Sequence, residues 1–269
     1  MYICKVCKRT QISFTTKCIH CFSFLSLEKI HQTANILTLD QIELKEIKKF
    51  KTPIDENLGD GLPQGSMTIL AGIPGAGKST LALEIISEIL SHETDIHSLY
   101  ISSEENPELI KSRALRIAPE LNHDDRFLII CETNLEIIKN TIKNIITSTL
   151  PQSAKAIPSG NAHLFIVLDS INAVKSNTSK SHPGSPSNII KTLNTLQNIR
   201  NQTNRTTTLI IAHANKQRTI AGPLTLQHMV DIVLFFNIEK DNSRTLTTLK
   251  NRFGPSGVKT TLIPGYPPS

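Results

Sequence analysis

Residues 53–269 predict an α/β domain with a largely parallel central sheet and helices on both faces. Three observations carry that prediction. Short apolar runs of strand length recur along this segment, helix-like segments lie between most of them, and a glycine-rich turn joins the first run to the first helix. What remains of the 269-residue chain suits a small appendage, not a second full domain.

The appendage comes first. Residues 1–27 are too few to hold a core of their own, yet they carry Cys4, Cys7, Cys18 and Cys21 as two CxxC pairs with ten residues between them. Two such knuckles can deliver four thiolates to a tetrahedral Zn2+, and a metal supplies the stability so short a module lacks. Disulfides are the alternative. The N-terminus MYICKVCKRT has no apolar h-region, and no run of about 18 apolar residues occurs, so neither a signal peptide nor a membrane span is expected. A cytoplasmic protein keeps its thiols reduced, which favours zinc. His20, between two of the ligands, reads as a bystander.

Residues 28–52 are polar and basic, end in ELKEIKKFK and read as a linker. The turn-rich approach IDENLGDGLPQGS then leads to a buried strand at 67–71, a glycine loop and the apolar helix LALEIISEIL. Further central strands are expected at 98–102, 127–131, 164–168, 209–212 and 232–236, which makes Cys131 a buried free thiol. The Ser-, Pro- and Gly-rich stretch 176–188 reads as a mobile loop after a strand.

Gly72, Ile73, Pro74, Gly75, Ala76, Gly77, Lys78 and Ser79 match GxxxxGK[ST], with Thr80 directly after them. The glycines let the backbone wrap round phosphates with its N–H groups pointing inward, and the helix opening near Lys78 adds its positive end. In this reading the ligand is ATP: Lys78 reaches the β- and γ-phosphates and Ser79 ligates Mg2+. Asp169, after the run LFIVL, supplies the acidic partner for that ion. A buried carboxylate without a metal would be costly to desolvate at such a place. Glu104 and Glu105 follow the strand SLYIS, at the edge where open α/β sheets bind ligands. Glu104 is the candidate general base and Glu105 its neighbour or alternate, unless the pair only opens the helix before Pro107.

In order and spacing these motifs resemble the RadA/Sms family of bacterial recombination and repair ATPases. That family pairs an N-terminal four-cysteine zinc finger with a RecA-like P-loop ATPase core. The resemblance covers nearly the whole chain, through IDENLGDGLPQGS, GIPGAGKST, YISSEENPELIKSRALRI, LFIVLDSINAV and AGPLTLQHMVDIVLFF. It is most specific in KNRFG at 250–254. It implies ATP-driven work on single-stranded or branched DNA, as movement along DNA or branch migration. It also implies a nucleotide-dependent homo-oligomeric ring and allows a recombinase partner. Lys250 and Arg252 would then reach the neighbouring subunit's ATP, where cations stabilise charge on the transferred phosphoryl group. His213 ends the run LIIA, where related folds place a γ-phosphate sensor, or else is a satisfied core-edge histidine. Ile73 stands where the family commonly has an acidic residue. The family usually carries a C-terminal Lon-protease-like domain after KNRFG, and the sequence stops soon after that motif, so a short form without it is expected.

The formal net charge of +6 and pI near 9.1 suit a nucleic-acid partner, or a solvated basic surface. Two segments could track a phosphate backbone without reading sequence. One holds Lys175, Lys180 and PGSPS, the other, at 215–225, holds Lys216 and Arg218. Both are poor in aromatics, so little base stacking is expected from them. Two rivals remain. A circadian-clock-like KaiC ATPase shares the paired glutamates and the K-x-R pair but lacks the four-cysteine finger. A truncated regulator would bind nucleotide or DNA without turnover, although Lys78, Ser79, Asp169 and Glu104 are all intact.

Overall fold

The computed structural model describes residues 2–11, 13–29, 38–41, 46–147, 162–177, 181–214 and 225–262. The chain divides into two compact units, Met1–Glu46 and Ile47–Ser269.

In the first unit β1 (Tyr2–Cys4) pairs antiparallel with both β2 (Thr10–Gln11) and β3 (Leu27–Lys29). The last of these strands runs into the segment read as linker. The two cysteine knuckles are the same turn used twice. Lys8 and Phe22, each following the second cysteine of a pair, have left-handed φ values of 60° and 59°. Each donates its N–H to the carbonyl of the pair's first cysteine at 2.9 Å.

The second unit opens on β4 (Lys49–Phe50), α1 (Asp55–Leu58) and β5 (Leu62–Pro63). Because β4 pairs with β5 and buries Phe50, the end of the expected linker is a strand of this unit. Then follow β6 (Met67–Gly72), α2 (Lys78–His92), β7 (Ile96–Ser102), α3 (Pro107–Ile117), β8 (Phe127–Cys131), α4 (Leu135–Ile146) and β9 (His163–Asp169). After them come α5 (Pro186–Thr203), β10 (Thr206–His213), α6 (Thr225–Met229), β11 (Ile232–Ile238), β12 (Arg244–Asn251) and β13 (Lys259–Leu262).

These build one eight-stranded sheet in the order β13-β12-β11-β6-β10-β9-β7-β8. The six strands from β11 to β8 are parallel, and β12 and β13 add an antiparallel edge. The central strands are apolar throughout because both faces are covered, and alternate residues serve opposite layers. Leu70, Tyr100, Val167 and Ile211 pack in the layer that includes Leu81, Ile85 and Ile89 of α2. Ile69, Ile101, Ile166 and Ile210 pack in the layer with Ile138 and Ile142 of α4 and Leu193 and Leu196 of α5.

The expected strands are present at their expected places, but two readings need correction. Cys131 is exposed, because β8 is the edge of the sheet and its last residue, paired with Ser102 of β7 on one side, has no strand on the other. The stretch 176–188 does not run as loop to its end. Ser185 caps α5 by accepting from the N–H of Asn188, and Pro186 takes the first helical turn, where it needs no N–H partner.

Below the sheet, at the N-terminal ends of the parallel strands, sits the buried carboxylate of Asp231. Its Oδ2 accepts from the Met67 N–H at 2.9 Å and from Arg200 of α5 at 2.6 Å, and its Oδ1 accepts from Arg252 at 3.1 Å. Removing it takes the partner from the first N–H of β6 and leaves the largely buried Arg200 guanidinium only a long bond to the Gly65 carbonyl, at 3.4 Å. Asp231→Ala is expected to lower unfolding free energy by about 3–5 kcal/mol, read from urea denaturation. A loss within about 0.5 kcal/mol would mean the three donors find other partners.

Candidate nucleotide site and metal centre

The parallel register brings the C-terminal ends of four strands together. Gly72 of β6 lies level with His213 of β10, and Ser102 of β7 lies level with Asp169 of β9. A cavity of about 340 Å3 opens over them, lined by the glycine loop, Ser79, Thr80, Glu104, Glu105, Arg113, Arg116, Asp169 and His213. Gly75 and Gly77 hold φ values of 76° and 102°, which a residue with a Cβ rarely adopts. The Arg244 guanidinium lies directly against Gly77 and brings a further cation to the loop from the start of β12.

Lys78 is buried, and its ammonium donates to the carbonyls of Gly72 (3.0 Å) and Ile73 (2.8 Å). Burial lowers its pKa, and the nearby carboxylates of Asp169 and Glu104 offset this only in part. For Asp169 burial raises the pKa, against hydrogen bonds from Ser79 and Tyr100 that pull it down. A carboxylate raised by burial and hydrogen-bonded to the loop serine fits the donor set of a divalent cation, whose charge would stabilise the ionised form.

The two glutamates separate by their partners. Glu105 forms a two-pronged pair with Arg113 of α3, at 2.6 and 2.7 Å, so its carboxylate is already engaged. Glu104 Oε1 accepts from the Ser170 hydroxyl and lies 3.1 Å from His213 Nε2. Burial pushes the Glu104 carboxyl up, but the bonds from Ser170 and His213 outweigh it and leave the pKa below the ordinary value. The Ser103 N–H donates to the Asp169 carbonyl at 2.7 Å, which fixes the start of the Glu104 loop beside the end of β9. The Asp169–Ser170 peptide is cis.

Lys250 and Arg252 lie elsewhere. β12 runs antiparallel to β11, so Asn251 pairs with Ile232 at the N-terminal edge, and Ile232 pairs with Thr68 of β6. Four residues of strand, roughly 13 Å, therefore separate this level from Gly72. Lys250 donates to the carbonyls of Gln227 (2.5 Å) and Val230 (2.6 Å), and Arg252 to the His228 carbonyl (3.2 Å) as well as to Asp231. Lys175 is exposed on the segment after β9, pinned by backbone bonds to Thr133 and Leu135. Lys180, Lys216 and Arg218 lie outside the described residues.

Several contributors had no sequence signal of their own. Tyr100 and Ser170 sit inside apolar or loop runs, and Asp231 looks like any strand-leading acid. Arg113 and Arg116, three apart on one face of α3, were within reach of helical periodicity.

The four thiols of the first unit converge. Their sulfurs all lie within 4.8 Å of one another, with Cys4–Cys21 at 3.5 Å and Cys7–Cys18 at 3.7 Å. Those separations are far longer than a disulfide bond, about 2.05 Å, and match the roughly 3.8 Å edge of a tetrahedron with 2.3 Å zinc–sulfur bonds. Ser26 Oγ and Ser23 Oγ each lie 3.2 Å from a ligand sulfur, where hydroxyls can steady thiolates. His20 points away, with Nε2 at 3.3 Å from the Thr10 carbonyl.

Strand order, glycine loop and strand-end acid together define the class: a P-loop ATPase domain of RecA-like fold. Residues 33–219 match a family model described as an AAA domain; the chain belongs to that family, and within it is RadA/Sms-like. It is 29% identical over 271 residues to "DNA repair protein RadA" of Streptococcus pyogenes serotype M1, covering 94% of this chain and 55% of that protein. The RadA protein of Helicobacter pylori is 31% identical over 277 residues, covering 95% and 56%. The chain thus spans about half the length of the curated relatives it matches. A KaiC-like protein from Pyrococcus horikoshii OT3 shares the fold, with a TM-score of 0.61 at 17% identity over 80% of this chain and 94% of that one. Among the described residues no helix is long and apolar enough to cross a membrane.

Two measurements follow from this geometry. Protein purified without chelator should carry one zinc per chain by metal analysis, and a content near zero with four freely reactive thiols would refute the centre. Lys78→Met should leave the melting temperature without nucleotide unchanged or raised, because a buried ammonium with a lowered pKa is a cost to the folded state at neutral pH. It should abolish the rise of roughly 5–10 °C expected for the wild type with saturating Mg-ATPγS. Survival of that rise in the variant would remove Lys78 from the phosphate site.

Proposed function

We propose that this chain is a DNA-dependent ATPase of recombination and repair, coupling ATP hydrolysis to movement on DNA or branch migration. The observation that carries the reading is the convergence of Lys78, Ser79, Asp169 and Glu104 on one strand-end cavity. Relatives bearing the name DNA repair protein RadA supply the biological context.

The N–H groups of the glycine loop and the Lys78 ammonium bind the β- and γ-phosphates, and Thr80 and Arg244 flank them. Ser79 and Asp169 hold Mg2+, which when bound offsets the charge of the phosphate oxygens. Glu104 orients the attacking water and takes its proton. The lowered pKa of Glu104 keeps it ionised at neutral pH, so the acid limb of the rate should fall below the ordinary glutamate range. His213 and Ser170 hold that carboxylate, and Glu105 with Arg113 braces the loop that carries it. Lys250 and Arg252, a sheet-height away from their own cavity, act on the nucleotide of the next subunit in a head-to-tail ring. Lys175, Lys180, Lys216 and Arg218 contact the DNA backbone. The zinc-bearing module and residues 47–269 form the two domains, and the cytoplasm is the compartment.

The deciding experiment is ATP turnover with and without single-stranded DNA. Glu104→Gln should cut turnover by about 10²–10⁴-fold while nucleotide binding persists. Arg252→Ala should also cut it, and mixing the two variants should restore part of the activity at interfaces that join an intact Arg252 to an intact Glu104. No restoration at any ratio, from variants shown to co-assemble, would refute catalysis across subunits. Absence of turnover in the wild type with single-stranded and branched DNA alike would leave a nucleotide-binding regulator.

A further inference from the structure

The chain has nine Phe, three Tyr and no Trp, and four of these aromatics fall in its first 24 residues. The three exposed phenylalanines among the described residues, Phe14, Phe22 and Phe24, all belong to this module. Large apolar side chains on a module with almost no core should be turned inward to help it fold. Here Phe22 is 70% exposed, Phe24 66% and Leu25 81%.

The backbone makes this placement more pointed. Phe22 and Leu25 have φ values of 59° and 48°, in the left-handed region that disfavours bulky L-residues. Glycine would relax the knuckle at position 22, and the equivalent position of the first knuckle holds Lys8. A strained backbone that presents a ring to solvent gains nothing from packing, so the fold does not account for the ring.

Charge points to the occupant. Residues 1–27 contain Lys5, Lys8, Arg9 and Lys17 and no Asp or Glu. A loaded four-thiolate zinc centre contributes a charge of about −2, which leaves the module net positive. Lys17 bridges to Phe24 across the second knuckle and sets its ammonium 4.3 Å from the ring centroid. A ring with a cation beside it, on a module whose one acid among residues 1–29, Glu28, is paired with Lys5 at 3.6 Å, matches the chemistry of unpaired bases on a phosphate backbone: each base offers a π-face and each linkage a negative charge.

We propose that the second knuckle, through Phe22, Phe24 and Lys17, is a base-stacking surface for single-stranded nucleic acid. It supplies the aromatic contacts that the basic segments of the ATPase unit lack. The inference rests on the reading of this protein as one that works on DNA.

The test uses the full chain and a fluorescein-labelled thirty-residue oligo-dT, with affinity read by anisotropy at fixed salt and zinc content measured for each variant. Phe22→Gly relaxes the backbone and Phe24→Ala removes the neighbouring ring. Each should weaken binding on the order of ten-fold with zinc retained, and Phe24→Tyr should keep wild-type affinity because the ring remains. Phe22→Gly should melt no lower than the wild type, so lost binding in that variant cannot be lost folding. Wild-type affinity in both ring-removing variants overturns the proposal. If affinity is unchanged but self-association falls in light scattering, the rings serve a protein contact and the proposal is equally overturned. A wild type that binds neither oligo-dT nor branched DNA sinks the DNA reading along with it, whereas binding that ignores both rings leaves that reading standing.

Discussion

The carboxylate of Asp231 takes hydrogen bonds from three parts of the chain that lie far apart in sequence. These are the first residue of β6, the helix α5 and the KNRFG strand end. Its partners tie the central strand's lower end to the helix covering one sheet face and to the antiparallel edge. Because β6 is only six residues long, whatever sets Met67 also sets Gly72 and the loop that follows. In a low-dielectric interior such a group holds its place only when its lone pairs are filled, so the three donors and the acid fix each other.

The sheet then divides the chemistry between its two edges. The C-terminal edge collects the glycine loop, both glutamates, Asp169 and His213. The N-terminal edge collects Asp231, Lys250 and Arg252. Parallel strands force this division, since every crossover returns the chain to the same edge before it can leave the other. Within the sheet only an antiparallel strand runs back down, and β12 does so, from Arg244 at the loop to Asn251, with Arg252 following at the far edge.

The parallel core was legible because its signals are local and redundant. Apolar runs bounded by turns mark strands whichever neighbour they pair with, and the glycine loop names its own position between β6 and α2. The thiol cluster was legible for a similar reason: spacing alone decides whether two knuckles can converge. What escaped depended on pairing across long separations. The edge position of β8, and with it the exposure of Cys131, follows from strand order, which a run of apolar residues does not encode. The different states of Glu104 and Glu105 follow from Ser170, His213 and Arg113, which reach them from another strand end, a third strand and a helix. Neighbours in sequence thus acquire separate environments only in three dimensions.

The Lys78 ammonium is already coordinated by the Gly72 and Ile73 carbonyls. Ligand capture at this loop is therefore an exchange of oxygen partners and not the filling of an open electrostatic well. An anion that offers one weakly basic oxygen gives the ammonium less than two carbonyls do and leaves it where it is. A polyphosphate would bring several charged oxygens at once and could meet the loop N–H groups at the same time, which replaces both carbonyls in one event. The resting hydrogen bonds of the loop thus set a threshold that any incoming anion has to exceed.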